Sequence, residues 1–299
     1  MAQRSWLFVP GDSDKKLGKA AETGADVIIV DLEDSIAITN KNAARTKTRD
    51  WLVAHRRQVI ELRDQSRRQG RWVRINAFDS GELWRDDLAA VMAGAPDGIM
   101  LPKSAGPESV QQLAAELYEL EQRNQIQSGT TRIMPLVSET AAAAMSIGAY
   151  ASAPLPRLAG LTWGAEDLSA AFGATRKRHA DGSWTDTFRL VRAQTLLTAH
   201  AKGVAAIDTL HADFADTEGL KRAAEAARAD GFGGMLAIHP AQCAVINAAF
   251  TPSEAELAEA RAIVAAFSAE PEAGVLQIER KMIDRPHLKL AQRILGIDE

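Results

Sequence analysis

Acidic side chains follow four of the short apolar runs in this sequence, at the point where each run ends. They are Asp31, Glu33 and Asp34 after residues 26–30, Glu139 after residues 132–137, Glu166 and Asp167 after residues 158–163, and Asp208 after residues 204–207. Clustered carboxylates without cysteine or paired histidine ligands suit a hard cation bound through oxygen, and Mg²⁺ usually takes only one or two of them from a protein. An acid near a helix start can instead cap that helix. The residues alone therefore leave Glu139 and Asp167 open to either role, a catalytic Mg²⁺ site or two helix caps.

Two basic residues occur among these acids. Arg74 lies within an otherwise apolar run, and a buried guanidinium needs a carboxylate or phosphate partner. It could bind an anionic substrate, or it could form a structural ion pair with Asp31 or Glu33. Lys103 follows another run and could in principle form a Schiff base. A metal site would make that unnecessary, and a salt bridge from Lys103 to Glu139 or Asp31 is the favoured interpretation.

The elements that must position these residues are eight short apolar runs, which alternate with longer segments of helical spacing as expected of βα units. The runs are residues 5–9, 26–30, 72–75, 98–101, 132–137, 158–163, 204–207 and 234–238, and the main helical segments are 42–68, 107–123, 186–202 and 217–229. Eight such units close into a (β/α)8 TIM barrel, in which catalytic groups lie at the carboxyl ends of the strands. An open doubly wound sheet is the alternative, but its glycine fingerprint does not follow the first run.

The carboxyl-terminal part of the chain, residues 251–299, has the pattern of a helix, a linker and a second helix. The segment 251–254 (TPSE) predicts a capping box with proline at the first helical position. Residues 268–274 have the composition of a linker, and the last helix is expected to end near Leu295. This part is too small for a large core of its own. We therefore expect it to dock on the barrel of residues 1–250 or on a neighbouring subunit.

The charge and the cysteine content exclude several classes of protein. The 299 residues carry a formal net charge of −4, which offers no general attraction to nucleic acid or anionic lipid. The single cysteine, Cys243, excludes an internal disulfide and indicates a reducing compartment. About five apolar residues near the amino terminus are too few for a signal peptide or a membrane span. The sequence predicts a cytoplasmic protein that binds neither nucleic acid nor membrane.

Nine motifs occur in the same order as in a known family of CoA-ester lyases. They are RSWLFVPGDS, DLEDSI, VRIN, GIMLPK, VSET, LTWGAEDLSAAFGA, IDTLHADFADTEGL, AIHPAQ and MIDRP. Through them the chain resembles, over nearly its whole length, the citrate lyase β-subunit and malyl-CoA lyase family of the HpcH/HpaI aldolase group. The resemblance implies a TIM barrel, a bound Mg²⁺ and chemistry on a CoA thioester. The motifs are specific for the family but not for the substrate.

The resemblance also implies roles for individual residues. It makes Glu139 and Asp167 the Mg²⁺ ligands and Arg74 the catalytic arginine that binds the carboxylate of the keto acid or hydroxy acid. Lys19 falls where family members hold the CoA phosphates, and the backbone after Phe8 is expected to lie along the pantetheine. Glu166 joins the expected substrate-binding residues, and those expected to support the site from behind are Asp31, Glu33, Asp34 and Lys103.

The MIDRP motif implies a catalytic lid. Family members that act on malyl-CoA and citramalyl-CoA carry an aspartate in a carboxyl-terminal lid from the neighbouring subunit, and Asp284 matches it. Subunits of the large citrate lyase complex generally lack this element, so its presence favours a free-standing enzyme. The resemblance further implies a homo-oligomer, either a trimer or a hexamer. One departure is Arg280, which stands where relatives usually have glycine and puts the lid conformation in question.

We therefore predict a Mg²⁺-dependent carbon–carbon lyase. Its expected reaction cleaves or forms an ester of the malyl-CoA or citramalyl-CoA type, with acetyl-CoA or propionyl-CoA as one partner. The other partner is a small keto acid, namely glyoxylate, pyruvate or oxaloacetate, and the motifs do not decide among them. Two alternatives are a metal-dependent aldolase acting on free hydroxy-keto acids and a non-catalytic or carrier-dependent subunit.

Overall fold

A sheet of eight parallel strands forms the barrel. In the computed structural model, which describes residues 3–61, 69–278 and 280–297, the strands are β1 (Ser5–Pro10), β2 (Val27–Asp31), β3 (Gly70–Arg74), β4 (Gly98–Leu101), β5 (Arg132–Pro135), β6 (Gly160–Thr162), β7 (Ala205–Asp208) and β8 (Gly234–Ala237). Neighbours in the chain are neighbours in the sheet, and β1 also pairs in parallel with β8. The predicted eight-stranded parallel barrel is confirmed.

The junction between β5 and β6, which we call the β5–β6 seam, is the least regular part of the barrel. Two isolated bridges, Ile133 to Leu158 and Leu136 to Thr162, stand in place of a continuous ladder. Backbone hydrogen bonds cross it from Val137 to Thr162 at 3.0 Å, from Ile133 to Arg157 at 2.9 Å and from Ala159 to Ile133 at 2.9 Å. Because β6 has only three residues, the last two bonds involve residues that precede it. The acidic residues predicted to bind metal follow the two strands of this seam.

Nine helices of the barrel unit are described, and short local signals begin and end them. They are α1 (Asp14–Lys19), α2 (Lys41–Glu61), α3 (Leu83–Val91), α4 (Pro107–Arg123), α5 (Ala141–Ser146), α6 (Ala165–Phe172), α7 (Asp186–Lys202), α8 (Thr217–Asp230) and α9 (Pro240–Ala249). Gly203 and Gly231 end α7 and α8 in the left-handed conformation that favours glycine. The helix predicted over residues 42–68 is confirmed as far as Glu61, and residues 62–68 lie outside the described part. None of the described helices is long and apolar enough to cross a membrane.

Alternate strand residues fill two layers of core. Nine buried side chains form a separate cluster within the sheet: Trp6, Val27, Ile29, Trp72, Met100, Met134, Leu136, Ile207 and Leu236. The rings of Trp6 and Trp72 meet edge to face with centroids 5.1 Å apart, and Gly98 leaves the space that Trp72 needs, since a β-carbon there would lie 2.4 Å from its ring. The opposite strand faces pack on the helices. Both layers fix the strand tips where the polar residues lie.

Residues 251–299 form a second compact unit. It consists of α10 (Glu254–Ala269), a hairpin of β9 (Val275–Ile278) and β10 (Lys281–Asp284), and α11 (Arg285–Leu295). Its small core contains Ala260, Ile263, Phe267, Ile283 and Ala291. The last helix ends at Leu295, as predicted.

Two details of this unit differ from the sequence-based expectation. The hairpin was not predicted, because strands of four residues are too short to show a clear alternation. The predicted cap at residues 251–254 was wrong by two positions. Ser253 caps α10 instead: its hydroxyl accepts from the amide of Glu256, and the Glu256 carboxylate accepts from the amide of Ser253.

Candidate active site

Asp31 and Arg74 form an ion pair at the tips of two neighbouring strands. They end β2 and β3 and are directly opposite in the parallel register. Arg74 donates from Nε to Asp31 Oδ1 at 2.7 Å and from Nη2 to Asp31 Oδ2 at 2.8 Å. Burial by itself would raise the pKa of Asp31, but the charge and hydrogen bonds of Arg74 outweigh it and hold that pKa below its usual value. The structural ion pair considered for Arg74 is therefore present.

Arg74 has a second acidic neighbour and an aromatic one. Its Nη1 lies 3.0 Å from Glu33 Oε2, and its guanidinium lies 4.8 Å above the ring of Phe8. These contacts fix the guanidinium plane at the wall of the mouth cavity described below. A structural role and a substrate-binding role are compatible here, since a guanidinium offers five N–H donors.

Lys103 contacts three acidic residues, two through its ammonium and one through its backbone amide. Its ammonium lies 3.0 Å from Glu33 Oε1 and 3.9 Å from Asp34 Oδ1, while its backbone amide donates to Glu139 Oε2. The predicted side-chain salt bridge to Glu139 or Asp31 was wrong, because the strand spacing brings the long side chain to the loop after β2. A Schiff-base role finds no support in an ammonium already paired with a carboxylate.

Glu139 is a buried acid in an acidic environment. It is 4% exposed, and burial together with the charges of Glu33 and Asp167 raises its pKa to about 8. Asp167 lies in the first turn of α6, and Gly164 before that helix faces the Glu139 side chain. A β-carbon on Gly164 would lie 3.1 Å from Glu139 Cγ, so the glycine permits this close approach. The two strands of the seam thus bring Glu139 and Asp167 to one place.

A small cavity of about 40 Å³ lies at this mouth. Its lining residues are Phe8, Arg74, Leu136, Glu139, Gly164, Ala165, Glu166, Asp167, Thr209, Leu210 and Leu236. Five residues predicted from the sequence line it together: Phe8, Arg74, Glu139, Glu166 and Asp167. Most of the other lining residues are apolar, which would strengthen electrostatic contacts to a bound anion by excluding water.

The residues at the mouth fit a divalent cation. Among the described residues, five carboxylates, on Asp31, Glu33, Asp34, Glu139 and Asp167, lie near three basic groups, Arg74, Lys103 and Lys41. This leaves an excess of two negative charges when all five acids are ionised. Within residues 3–61, 69–278 and 280–297, no three His, Cys, Asp or Glu side chains form a chelating group. Two carboxylates with the remaining positions left to water or substrate is the arrangement that Mg²⁺ commonly takes.

The buried Glu139 carboxyl predicts that the metal-free protein loses stability as the pH rises. Its folded-state pKa of about 8 lies above the ordinary 4.5, so between these values the folded state holds a proton that the unfolded chain releases. The free energy of unfolding then falls by at most about 1.4 kcal/mol per pH unit across that window. The depressed pKa of Asp31 has the opposite sign and acts only at lower pH. We expect urea midpoints in EDTA to fall from pH 5 to pH 8, and to fall less in Glu139→Gln. A midpoint that rises over this range would contradict the prediction.

Three other predicted residues have different surroundings. Lys19 ends α1 and is exposed. Asp34 is about half exposed and lies 3.9 Å from the ammonium of Lys103. Glu166, although it lines the cavity, forms a salt bridge with Lys177 from the loop after α6. A substrate contact by Glu166 would have to compete with that lysine.

Asp284 lies in the second unit, at the end of β10 and directly before α11. Its Oδ1 lies 2.5 Å from His287 Nδ1, and this hydrogen bond lowers the pKa of Asp284. The carboxyl group is thereby favoured in its ionised, proton-accepting form. The hairpin turn before it contains Arg280 with φ of 70°, a left-handed conformation that favours glycine. This gives a physical reason for the glycine that the resemblance leads one to expect there.

Sequence reasoning missed several residues of the site. Lys41 is buried, and its ammonium donates to the carbonyls of Leu32 and Glu33 at 2.6 Å and to Asn76 Oδ1 at 2.8 Å. It thereby fixes the loop that carries Glu33. No pattern singles out Lys41, because it begins a helix like many surface lysines. Thr209 and Leu210 of the mouth follow β7 directly, and that position could have identified them.

The barrel and its acidic mouth define a (β/α)8 enzyme of the metal-dependent type, and comparison with known proteins gives the family. The HpcH/HpaI aldolase/citrate lyase family matches residues 4–240. The chain belongs to this family, which confirms the predicted family and the predicted class of carbon–carbon lyases.

Individual relatives match the chain over nearly its whole length. The mitochondrial citramalyl-CoA lyase of Rattus norvegicus is 32% identical over 99% of this chain and 86% of its own. The (3S)-malyl-CoA thioesterase of Cereibacter sphaeroides is 34% identical over 98% of this chain and 93% of its own. The crystal structure of the protein CitE from Mycobacterium tuberculosis, in complex with magnesium, acetoacetate and coenzyme A, is 37% identical. The structural match covers 99% of this chain and 98% of the CitE chain, with a TM-score of 0.76.

Proposed function

We propose that this protein is a Mg²⁺-dependent lyase that cleaves or forms a CoA ester of the malyl-CoA or citramalyl-CoA type. The products of cleavage are acetyl-CoA or propionyl-CoA and a small keto acid, either glyoxylate, pyruvate or oxaloacetate. The observation that carries the proposal is the mouth itself, where the carboxyl groups of Glu139 and Asp167 line one cavity with the guanidinium of Arg74. The magnesium, keto acid and coenzyme A bound by the Mycobacterium tuberculosis relative support it.

The proposed residues hold the substrate in a defined orientation. Glu139 and Asp167 would bind Mg²⁺, which supplies a positive charge that polarises the hydroxyl or keto oxygen of the substrate. Arg74 keeps its Nε and Nη2 on Asp31 and can offer its remaining Nη hydrogens to the substrate carboxylate. Phe8 and the leucines of the mouth exclude water. Lys19 remains the proposed contact for the CoA phosphates, and Glu166 a proposed substrate contact.

Asp284 is the proposed acid and base. In the cleavage direction the ionised Asp284 accepts the proton of the 3-hydroxyl, the bond between C2 and C3 breaks, the C3 oxygen becomes the keto oxygen, and the electrons of the broken bond form a thioester enolate. Asp284 then delivers that proton to C2 of the enolate, which yields the acyl-CoA. In condensation the ionised Asp284 removes that same proton. The lowered pKa of Asp284 beside His287 keeps the carboxylate ionised and able to accept a proton.

The test is a reaction screen with the purified protein. Acetyl-CoA and propionyl-CoA are each incubated with glyoxylate, pyruvate or oxaloacetate and Mg²⁺, and the CoA esters are followed by mass spectrometry. The reverse reaction starts from malyl-CoA or citramalyl-CoA. We expect equal amounts of acyl-CoA and keto acid on cleavage, no reaction in EDTA, and recovery on adding Mg²⁺. Failure of every pair in both directions would refute the proposal.

The product balance distinguishes the alternatives. The thioesterase among the relatives makes thioester hydrolysis the second candidate, and it would give free CoA and an intact hydroxy acid. An aldolase without CoA would cleave the free hydroxy acid as fast as its ester. A carrier-dependent subunit would act only when a partner is added.

Oligomeric state and location are further parts of the proposal. We propose a homotrimer or hexamer in which residues 251–299 dock on the neighbouring subunit. We propose the cytoplasm as the location, because the single cysteine, Cys243, is buried and unpaired. Sedimentation of the purified protein would give the subunit number.

A further inference from the structure

Lys103 has an unusual backbone conformation at the mouth of the barrel. Its φ is 48°, in the left-handed region where a β-carbon crowds the backbone and glycine is favoured. Residues with a side chain keep this conformation only where their surroundings fix it, and such residues concentrate at functional sites.

The conformation allows Lys103 to contact two acids at once. Its amide donates to Glu139 Oε2 after β5, while its ammonium lies 3.0 Å from Glu33 Oε1 after β2. The next residue is also fixed, because the Ser104 amide donates to Leu136 at 3.2 Å and its hydroxyl lies 2.8 Å from that of Tyr150. Lys103 is thus fixed by the contact of its ammonium with Glu33 and by the hydrogen bonds of the next residue, Ser104.

The amide contact leaves one oxygen of Glu139 available. Oε2 accepts from Lys103, whereas Oε1 faces Gly164, where even an added β-carbon would remain 3.5 Å away. Gly164 directly precedes the helix that carries Asp167. Oε1 is therefore the oxygen on the side from which a second carboxylate could join it on a cation.

We propose that Lys103 is a positioning residue whose left-handed backbone aims its amide at Glu139 and thereby presents the other carboxylate oxygen to Mg²⁺. The inference rests on the proposed function, in which Glu139 is a metal ligand. The ion pair with Glu33 keeps the backbone in this conformation. Without that pair, a residue with a β-carbon relaxes to negative φ and its amide turns away, whereas glycine keeps the conformation without it.

We expect the glycine variant of Lys103 to bind Mg²⁺ more tightly than the alanine variant. Lys103→Ala and Lys103→Gly both lose the ammonium, so any change in charge near Glu33 is the same in both. Only the alanine variant keeps the β-carbon that opposes the left-handed conformation. We expect the dissociation constant for Mg²⁺ to rise about tenfold or more in Lys103→Ala, the effect of losing one hydrogen bond to a charged group. In Lys103→Gly it should stay within about threefold of the wild-type value.

The experiment is calorimetric titration of the metal-free proteins with Mg²⁺, without substrate, supported by thermal unfolding in EDTA. The inference is supported if Lys103→Gly has both a higher Mg²⁺ affinity and a higher unfolding midpoint than Lys103→Ala. Equal affinities, or alanine above glycine, would overturn it even if the enzyme cleaves its CoA ester. If Lys103→Gly binds Mg²⁺ more tightly than Lys103→Ala but the protein cleaves no CoA ester, only the proposed function is refuted. A wild-type protein that takes up no Mg²⁺ would overturn both the metal assignment and this role of Lys103.

Discussion

Glu139→Gln is expected to lower Mg²⁺-dependent turnover by about a thousandfold, equivalent to about 4 kcal/mol of barrier. The amide keeps the size of the side chain and can still accept from the Lys103 backbone. It removes the negative charge that a divalent cation requires. The residual excess charge on the neighbouring acids should not restore binding, because Asp31 and Glu33 are already paired with Arg74 and Lys103.

The same variant should be more stable than the wild type when both are free of metal. Glu139 is buried and its pKa is raised to about 8, so at neutral pH and above its ionisation opposes folding. Turnover is measured by the mass-spectrometric assay and stability by thermal unfolding in EDTA. Glu225→Gln, on the exposed face of α8, is the matched control and should change neither. A poorly active variant that is also less stable would indicate a folding defect and contradict the metal role.

Asp284→Asn is expected to lower turnover by about 10² to 10⁴, the contribution typical of a general acid and base. The variant cannot carry the proton to or from the acyl-CoA carbon, but it keeps the shape of the cap before α11. Mg²⁺ affinity should be unchanged, since Asp284 belongs to the second unit. Glu259→Gln is the matched control, because Glu259 is an exposed carboxylate of the same unit that pairs with Lys281 at 3.3 Å. Unchanged turnover would remove Asp284 from the mechanism.

Mixing the two inactive variants tests whether the lid comes from a neighbouring subunit. If it does, co-assembled Glu139→Gln and Asp284→Asn chains contain sites with both groups intact. Random mixing in equal amounts would give about a quarter of the wild-type sites. Expression of the two variants together, followed by the turnover assay, should then recover activity that neither has alone. If each chain supplies its own lid, no activity returns.

Sequence patterns were sufficient for the barrel because its strands carry a strong local signal. Continuous apolar runs such as β2, in which all five residues are buried, are typical of a parallel sheet. In a barrel of parallel strands, the residues after each run lie at one mouth. This is why Glu139, Asp167 and Arg74 could be placed together before any coordinates. The resemblance to a family then supplied their proposed roles.

What the patterns could not supply is which partner each charged group selects. Lys103 was expected to pair with Glu139 or Asp31, and only the three-dimensional path of its side chain leads to Glu33. The left-handed backbone at Lys103 could not be predicted from the residue type, since lysine does not indicate a positive φ as glycine does. Lys41 is similar, because its burial depends on carbonyls that the loop after β2 turns toward it.

The interrupted pairing between β5 and β6 gives metal binding a mechanical meaning. Glu139 and Asp167 follow the two strands that are joined by isolated bridges instead of a continuous ladder, so an ion bound by both would add a link between side chains across this junction. The β5–β6 junction would then be held by more contacts with the ion bound than without it.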